Sequence, residues 1–385
     1  MSLPLRPLDL SALLRGGVAP TPATRWLIAL NGAMFVLMLL QGGGFWHGSS
    51  PVALAWGANF GPATQDGQWW RLASAMFVHF GVLHLGLNLL ALWDAGRLLE
   101  QLAGGWRVLL LFLLSGVLGN LLSLVVQGNQ VVSGGASGAI FGLYGALLVM
   151  LWQVRHRVER REFGWVFGSI LAFGSLTLAL GWLAPSIDNA AHLGGLVAGA
   201  LLGCSLAPAP AAGVARTHWH RALSAGALML AATWLLVHLP APSYRIQQEL
   251  LAQQAMARFL AEDRRISQRW ASLLRQPVSA SVVMAQSFDA LAGSIDEEVS
   301  QAYELSFEAL ANADPGAGAP SAPALRAMQD YAAARAQTSR NLAEGLRQRD
   351  TERIRQALGQ AKASPPKVFA PSPKASREKA IQPNP

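Results

Sequence analysis

Cysteine is almost absent from this chain: Cys204 stands alone among 385 residues. One thiol cannot build a disulfide framework or a thiolate zinc site within a single chain, and a lone buried cysteine usually behaves as a small hydrophobe. Charge is scarce as well, at 14% of residues, where soluble domains carry roughly 25%. That deficit excludes an ordinary soluble domain. There is no concentrated basic patch either. The arginines are spread over short loops, and all four lysines fall within the last 24 residues. The sequence pI of 10.3 therefore requires no nucleic acid to explain it. No internal repeat is visible.

What the chain has instead is apolar length. Hydrophobic residues make up 52% of it, and the mean hydropathy is +0.30. A bilayer core takes about 20 apolar residues to cross, and seven runs of that kind lie near residues 26–42, 79–96, 106–126, 137–154, 165–183, 190–206 and 222–239. The first run follows Arg6, Arg15 and Arg25 and ends in QGGGFWHGSS with no small-x-small cleavage site, so it reads as a retained anchor. The fold class expected is an all-α membrane protein with six core helices and a seventh transmembrane helix, followed by a helical extramembrane region.

Arginine placement sets the orientation. Residues 1–25, the 97–107 loop, the VRHRVERREFG loop and the 207–221 loop are basic, whereas the QGNQVVSGGA and APSIDN loops carry neither Lys nor Arg. The positive-inside rule then puts the N-terminus in the cytoplasm and, after seven spans, the C-terminus outside. Heavy use of Arg and Ala would suit a GC-rich bacterium, which makes the inner membrane the expected location, with the C-terminus in the periplasm.

The domain plan that follows is a cytoplasmic segment 1–25, a six-span core 26–206, a cytoplasmic loop 207–221 and a seventh span 222–240. Beyond it, residues 241–363 change to charged, alanine-rich sequence. Ile246, Leu250, Phe259, Ile266, Trp270, Leu273 and Leu274 recur at helical spacing up to Pro277. A second helix is expected from about Ser279 to Ala313. ADPGAGAPSAPA then breaks the pattern, and a third helix runs to about Ala363. The Pro- and Lys-rich tail 364–385 is expected to be disordered. No catalytic motif appears in this part; its helices could bind substrate, bind a protein partner or self-associate, and an interaction module of unknown target is the plain reading.

Polar residues inside spanning segments are costly and mark function by default. The second run holds His79, His84, Asn88 and Asp94, the fourth begins at Ser137, and the sixth opens with Asp188, Asn189 and His192. With the N-terminus inside, runs two, four and six all start from the outer side, which puts His84, Asn88, Ser137 and His192 at one depth. Asp94 and Asp188 then belong to opposite faces and cannot share a proton as an aspartyl dyad does. HFGVLH spaces its histidines at i and i+5 with no glutamate between them, unlike the zinc-binding HExxH. No metal and no organic cofactor is implied.

Serine and histidine chemistry is what remains. Acyl transfer needs a hydroxyl, a base and donors aimed at the developing oxyanion. Ser137 and His192 can supply the first two. His84 and Asn88, one helical turn apart, can point two donors to one spot, and the Ser137 N–H at a helix start adds a third. Gly134, Gly138 and Gly142, like Gly195, Gly199 and Gly203, repeat every fourth residue and let two helices touch. Each residue alone also has a structural reading, as packing or interhelical glue. His79 reads as an interfacial residue and Asp94 as snorkelling or bonded near the cytoplasmic end.

At these residues the sequence resembles the rhomboid family of intramembrane serine proteases. The resemblance covers about residues 26–206 and rests on Trp70-Arg71, the HxxxN of His84 and Asn88, the GxSG of Gly135 to Gly138, and the AHxxGxxxG of His192 through Gly195 to Gly199. It implies a nucleophile at Ser137, a general base at His192 and oxyanion donors at His84 and Asn88. Trp70 and Arg71 would shape a lateral entrance. The family's dyad has no carboxylate, so Asp188 is not promoted to a third member. Phe141 stands where many relatives carry Tyr, and its ring could stack on His192. The implied function is cleavage of single-span proteins near the outer side of the lipid bilayer. The alternatives are a silent rhomboid-like protein that binds membrane clients without cutting them and, with less support, a transporter.

Overall fold

A computed structural model of the chain describes residues 20–128, 131–184, 187–207, 219–274 and 284–361. The expected tail 364–385, the first 19 residues and most of the 207–221 loop lie outside the described residues. The chain divides into two compact units between Pro242 and Ser243.

In the first unit, seven helices among the described residues are long and apolar enough to cross a membrane. They are α1 (Pro22–Leu40), α2 (Val82–Ala103), α3 (Gly105–Gln127), α4 (Ser137–Val154), α5 (Arg160–Leu183), α6 (Asn189–Leu206) and α7 (Trp219–Val237). The chain is a multi-pass, all-α membrane protein. Its second span differs from the expected one: the helix starts at Val82 and runs on to Ala103, leaving His79 in a non-helical approach. Gly81 is the reason. Its φ of 129° is closed to most side chains and cannot continue a helix.

Burial ranks the spans. In α4, 67% of the apolar stretch is buried, against 6% in α5 and in α7, so α4 is the central helix and those two lie on the periphery. The start of α1 is held from across the bundle: both oxygens of the Glu100 carboxylate accept N–H groups of its first turn, from Ala23 at 2.9 Å and Thr24 at 2.8 Å. A carboxylate there satisfies orphan donors and complements the helix dipole. At the α2–α3 and α4–α5 end, guanidinium groups lie over indoles, Arg97 on Trp93, Arg107 on Trp106 and Arg155 on Trp152. Such amphipathic pairs suit the membrane interface.

Glycines set the distance between α4 and α6. A Cβ added at Gly199 would lie 2.5 Å from both Cα and C of Gly142, and one at Gly195 would lie 2.8 Å from C of Gly138. No side chain fits between these backbones.

The second unit is helical too: α8 (Ile246–Leu274), α9 (Met284–Ile295), a π-helical turn at Asp296–Ser300, α10 (Gln301–Ala311), α11 (Ala322–Gln348) and α12 (Thr351–Ala361). Phe259, Ile266, Trp270, Val299, Tyr303, Leu310 and Leu342 are buried in one core. Inside it the Tyr303 hydroxyl donates to Asp263 at 2.9 Å and accepts from Arg335 Nε at 3.3 Å. The Arg335 guanidinium lies 5.4 Å from the ring centres of both Trp270 and Tyr303. The single third helix expected to about Ala363 is in fact two. Arg349 takes the left-handed conformation with φ 57°, and Asp350 accepts the N–H groups of Glu352 and Arg353, which starts a new helix. The expected start of the second stretch at Ser279 lies outside the described residues.

Candidate active site

The residues VVSGGASG lead into α4 through a non-helical stretch. Gly135 has φ 132°, which favours glycine, and a second constraint excludes a side chain there: an added Cβ would lie 2.7 Å from Nε2 of His84 and 3.8 Å from Oγ of Ser137. The His84 ring and the Ser137 hydroxyl therefore flank one point in space. Ser137 opens α4, so its N–H is one of the donors that the helix leaves unpaired.

His192 lies in the first turn of α6, buried at 4% exposure. Its Nε2 lies 2.8 Å from Ser137 Oγ, within the range a general base requires. The ring stacks on Phe141, one turn into α4, with centroids 4.5 Å apart and planes 4° from parallel. Among the described residues, Nδ1 of His192 is buried without a hydrogen-bond partner, so none of their carboxylates bonds to the imidazole. Asp188 faces elsewhere: it accepts from Ala191 N at 2.9 Å, Ser123 Oγ at 2.5 Å and Ser133 Oγ at 2.6 Å. The stack on Phe141 is the close ring contact that the imidazole makes.

His84 and Asn88 lie one turn apart near the start of α2, and it is the His84 ring that lies beside the serine's approach. One N–H of the Asn88 amide donates to the carbonyl of His84 at 2.8 Å, which leaves the second N–H for any other acceptor. The Phe80 N–H donates to Nδ1 of the His84 ring at 3.4 Å, and the Phe80 ring lies 12° from parallel with it.

His79 corrects the sequence reading. It is buried among protein side chains, at 1% exposure. Its Nδ1 lies 3.3 Å from the Phe77 carbonyl, and its Nε2 accepts the N–H of Ala136 at 3.5 Å. A proton on Nδ1 satisfies both contacts at once. This histidine supports the peptide that precedes Ser137, and the glycine two residues after it was the available signal, because a helix that starts at Val82 turns His79 inward. Asp94, near the other end of α2, accepts from the Tyr144 hydroxyl at 3.4 Å.

Trp70 and Arg71 lie in the loop between α1 and α2. Arg71 is buried and donates to the carbonyls of Leu54 and Ala58 and to the Gln68 side chain at 2.7, 3.0 and 2.7 Å, so it ties the loop to itself. Trp70 is 53% exposed beside it. The loop is also pinned to the serine's approach, where Asn59 and Ser133 exchange backbone hydrogen bonds at 2.8 and 2.9 Å.

Comparison with known proteins matches residues 66–209 to the Rhomboid domain family. The chain is 36% identical over 233 residues to the rhomboid protease GluP of Bacillus subtilis (strain 168), covering 60% of this chain and 43% of GluP. A second protein of rhomboid name from the same organism, YdcA, is 36% identical over 146 residues, which is 38% of this chain and 70% of YdcA. The chain belongs to the rhomboid family. The rhomboid protease AarA of Providencia stuartii is 29% identical over 216 residues, 51% of this chain and 76% of AarA. The chain spans less than half the length of GluP. All four stretches that carried the resemblance, from Trp70 to Gly199, fall inside the matched rhomboid region. The second unit, from Ser243 on, lies outside it.

Proposed function

We propose that this rhomboid is an intramembrane serine endopeptidase that cuts transmembrane-anchored proteins within or next to their span. Ser137 Oγ attacks the scissile carbonyl carbon as its proton passes to Nε2 of His192. His84, the free N–H of Asn88 and the backbone N–H of Ser137 then hold the oxyanion. His192 returns the proton to the leaving amine, and water, activated by the same nitrogen, hydrolyses the acyl-enzyme. The observation that carries this reading is the 2.8 Å contact between Ser137 and an imidazole stacked on Phe141. A serine used only for helix packing has no need of a buried histidine held in one plane.

The loose packing of α5 fits a lateral route for the substrate, since a helix that is 6% buried costs little to displace. Substrate segments with small or helix-breaking residues unwind most cheaply and are the preferred targets. The basic loops support a cytoplasmic N-terminus, which puts the cut near the outer face of a bacterial inner membrane. Residues 243–361 would then form an extracytoplasmic interaction module.

The test is cleavage of a single-span reporter, with a glycine-rich stretch near the outer end of its span, by the purified full chain in liposomes. The product, identified by mass spectrometry, should begin or end at or next to the span and be absent with Ser137→Ala. Saturable reporter binding without any cut would support the silent client-binding protein instead.

A further inference from the structure

Asp188, four residues before His192, has no part in the proposed chemistry, yet its carboxylate accepts three hydrogen bonds. Asp188 caps α6, with Oδ1 accepting from Ala191 N. Its other oxygen holds two serines from two other segments: Ser123 of α3 and Ser133 of the stretch that leads to Ser137. The numbering is informative. Ser133 and Asp188 are 55 positions apart, and so are Ser137 and His192. Each clamp residue lies four places before one member of the dyad.

We propose that Asp188 is a positioning residue for catalysis, pinning the nucleophile's approach to the helix that carries the base, in the register that brings Ser137 to His192. The other polar ties of this approach lead elsewhere. Ser133 pairs its backbone with Asn59, and Asn59 donates to the Asn120 carbonyl of α3. These bonds fix the approach to the α1–α2 loop and to α3. Among the described residues, the Ser133–Asp188 bond and the dyad itself are the hydrogen bonds that join residues 131–137 to the start of α6. Without the first, the second rests on the α4–α6 glycine contacts and the Phe141–His192 stack, and these lie on one side of the serine only. Displacement of a reacting group by about 1 Å can cost about a hundredfold in rate.

The inference rests on the serine-protease reading, and its test separates the two. The full chain in detergent is treated with a fluorophosphonate, which reacts with an activated serine without a transmembrane substrate, and the labelling rate of Ser137 is measured. Asp188→Ala and Ser133→Ala should each slow labelling by tenfold or more, and the double variant should be no slower than Asp188→Ala alone. Asp188→Asn keeps the helix cap through its one oxygen and turns an N–H toward Ser133 Oγ, which can accept it, and should recover most of the rate. Ser123→Ala removes a bond to the same carboxylate but leaves the Ser133 tie to the nucleophile's approach, so labelling should fall far less than the tenfold of Ser133→Ala, to about threefold at most. With a membrane reporter the loss should fall on kcat and leave KM unchanged. Labelling of Asp188→Ala at the parental rate, additive losses in the double variant, or equal losses for Ser123→Ala and Ser133→Ala would overturn the proposal. A parent that takes no label would instead remove the protease reading beneath it.

Discussion

The substitution Gly199→Ala tests whether the dyad depends on helix contact far from the chemistry. Gly199 lies seven residues after His192, about 10 Å along α6 at 1.5 Å per residue. A methyl group there would lie 2.5 Å from Cα and C of Gly142, whereas ordinary contacts begin at 3.4 Å. The difference, 3.4 less 2.5, means that α6 must move from α4 by about 0.9 Å at least. If the rigid helix carries this shift to His192, the 2.8 Å contact with Ser137 opens to nearly 4 Å, beyond hydrogen-bond reach. Overpacking of this kind costs about 1–3 kcal/mol in stability, and misplacement of the base should slow fluorophosphonate labelling by about a hundredfold. Gly164→Ala and Gly168→Ala on α5 are the controls, since an added Cβ meets nothing within 4 Å at either. They should label at the parental rate. A Gly199→Ala protein with unchanged labelling rate and unchanged thermal midpoint would refute the claim that α4–α6 contact sets the dyad.

Other outcomes follow from single contacts. Phe141→Ala removes a stack worth about 0.5–1.5 kcal/mol, so kcat should fall between about twofold and twelvefold with KM unaltered, and Phe141→Tyr should stay near parental; a rise in KM alone would contradict an orienting role. His79→Ala leaves the buried N–H of Ala136 without its acceptor, a cost of about 1–3 kcal/mol, and both the unfolding midpoint and the labelling rate should drop; parental values for both would show that the 3.5 Å contact carries nothing. In the second unit, burial raises the phenols of Tyr303 and Tyr331 above the usual tyrosine range. A folded-state value above the unfolded one, about 10, gives stability that is complete below that pH and lost as pH rises through the higher folded values. Phenolate absorbance in an alkaline titration of the full chain should therefore lag behind that of free tyrosine and appear with helix loss near 222 nm; ordinary ionisation of both near pH 10 with the helices intact would contradict the burial.

Much of the membrane unit was legible because bilayer spans are written in apolar length, and six of the seven runs lie within a few residues of their helices. The candidate dyad was legible for a related reason. Polar residues are so rare in such runs that Ser137 and His192 stood out, and the four-residue glycine spacing around each one pointed to contact between their helices. His79 was misread because its run looked continuously helical, and the effect of Gly81 depends on a backbone angle rather than on hydrophobicity. The clamp at Asp188 was hidden for a different reason: Ser123 and Ser133 are ordinary helix and loop residues, respectively, until the fold brings them to one carboxylate. In the second unit the break at Arg349 carried a usable signal in Asp350, a helix-starting residue within RQRDTER, but the surrounding charged sequence suits a continuous helix equally well.

The central claim is that Ser137 is an activated nucleophile. It is tested most directly by treating the purified chain with a fluorophosphonate and locating the adduct by mass spectrometry, with Ser137→Ala and His192→Ala alongside. The account predicts a single phosphonylated peptide containing Ser137 in the parent and none in either variant. An unlabelled parent, or equal labelling after His192→Ala, would contradict it.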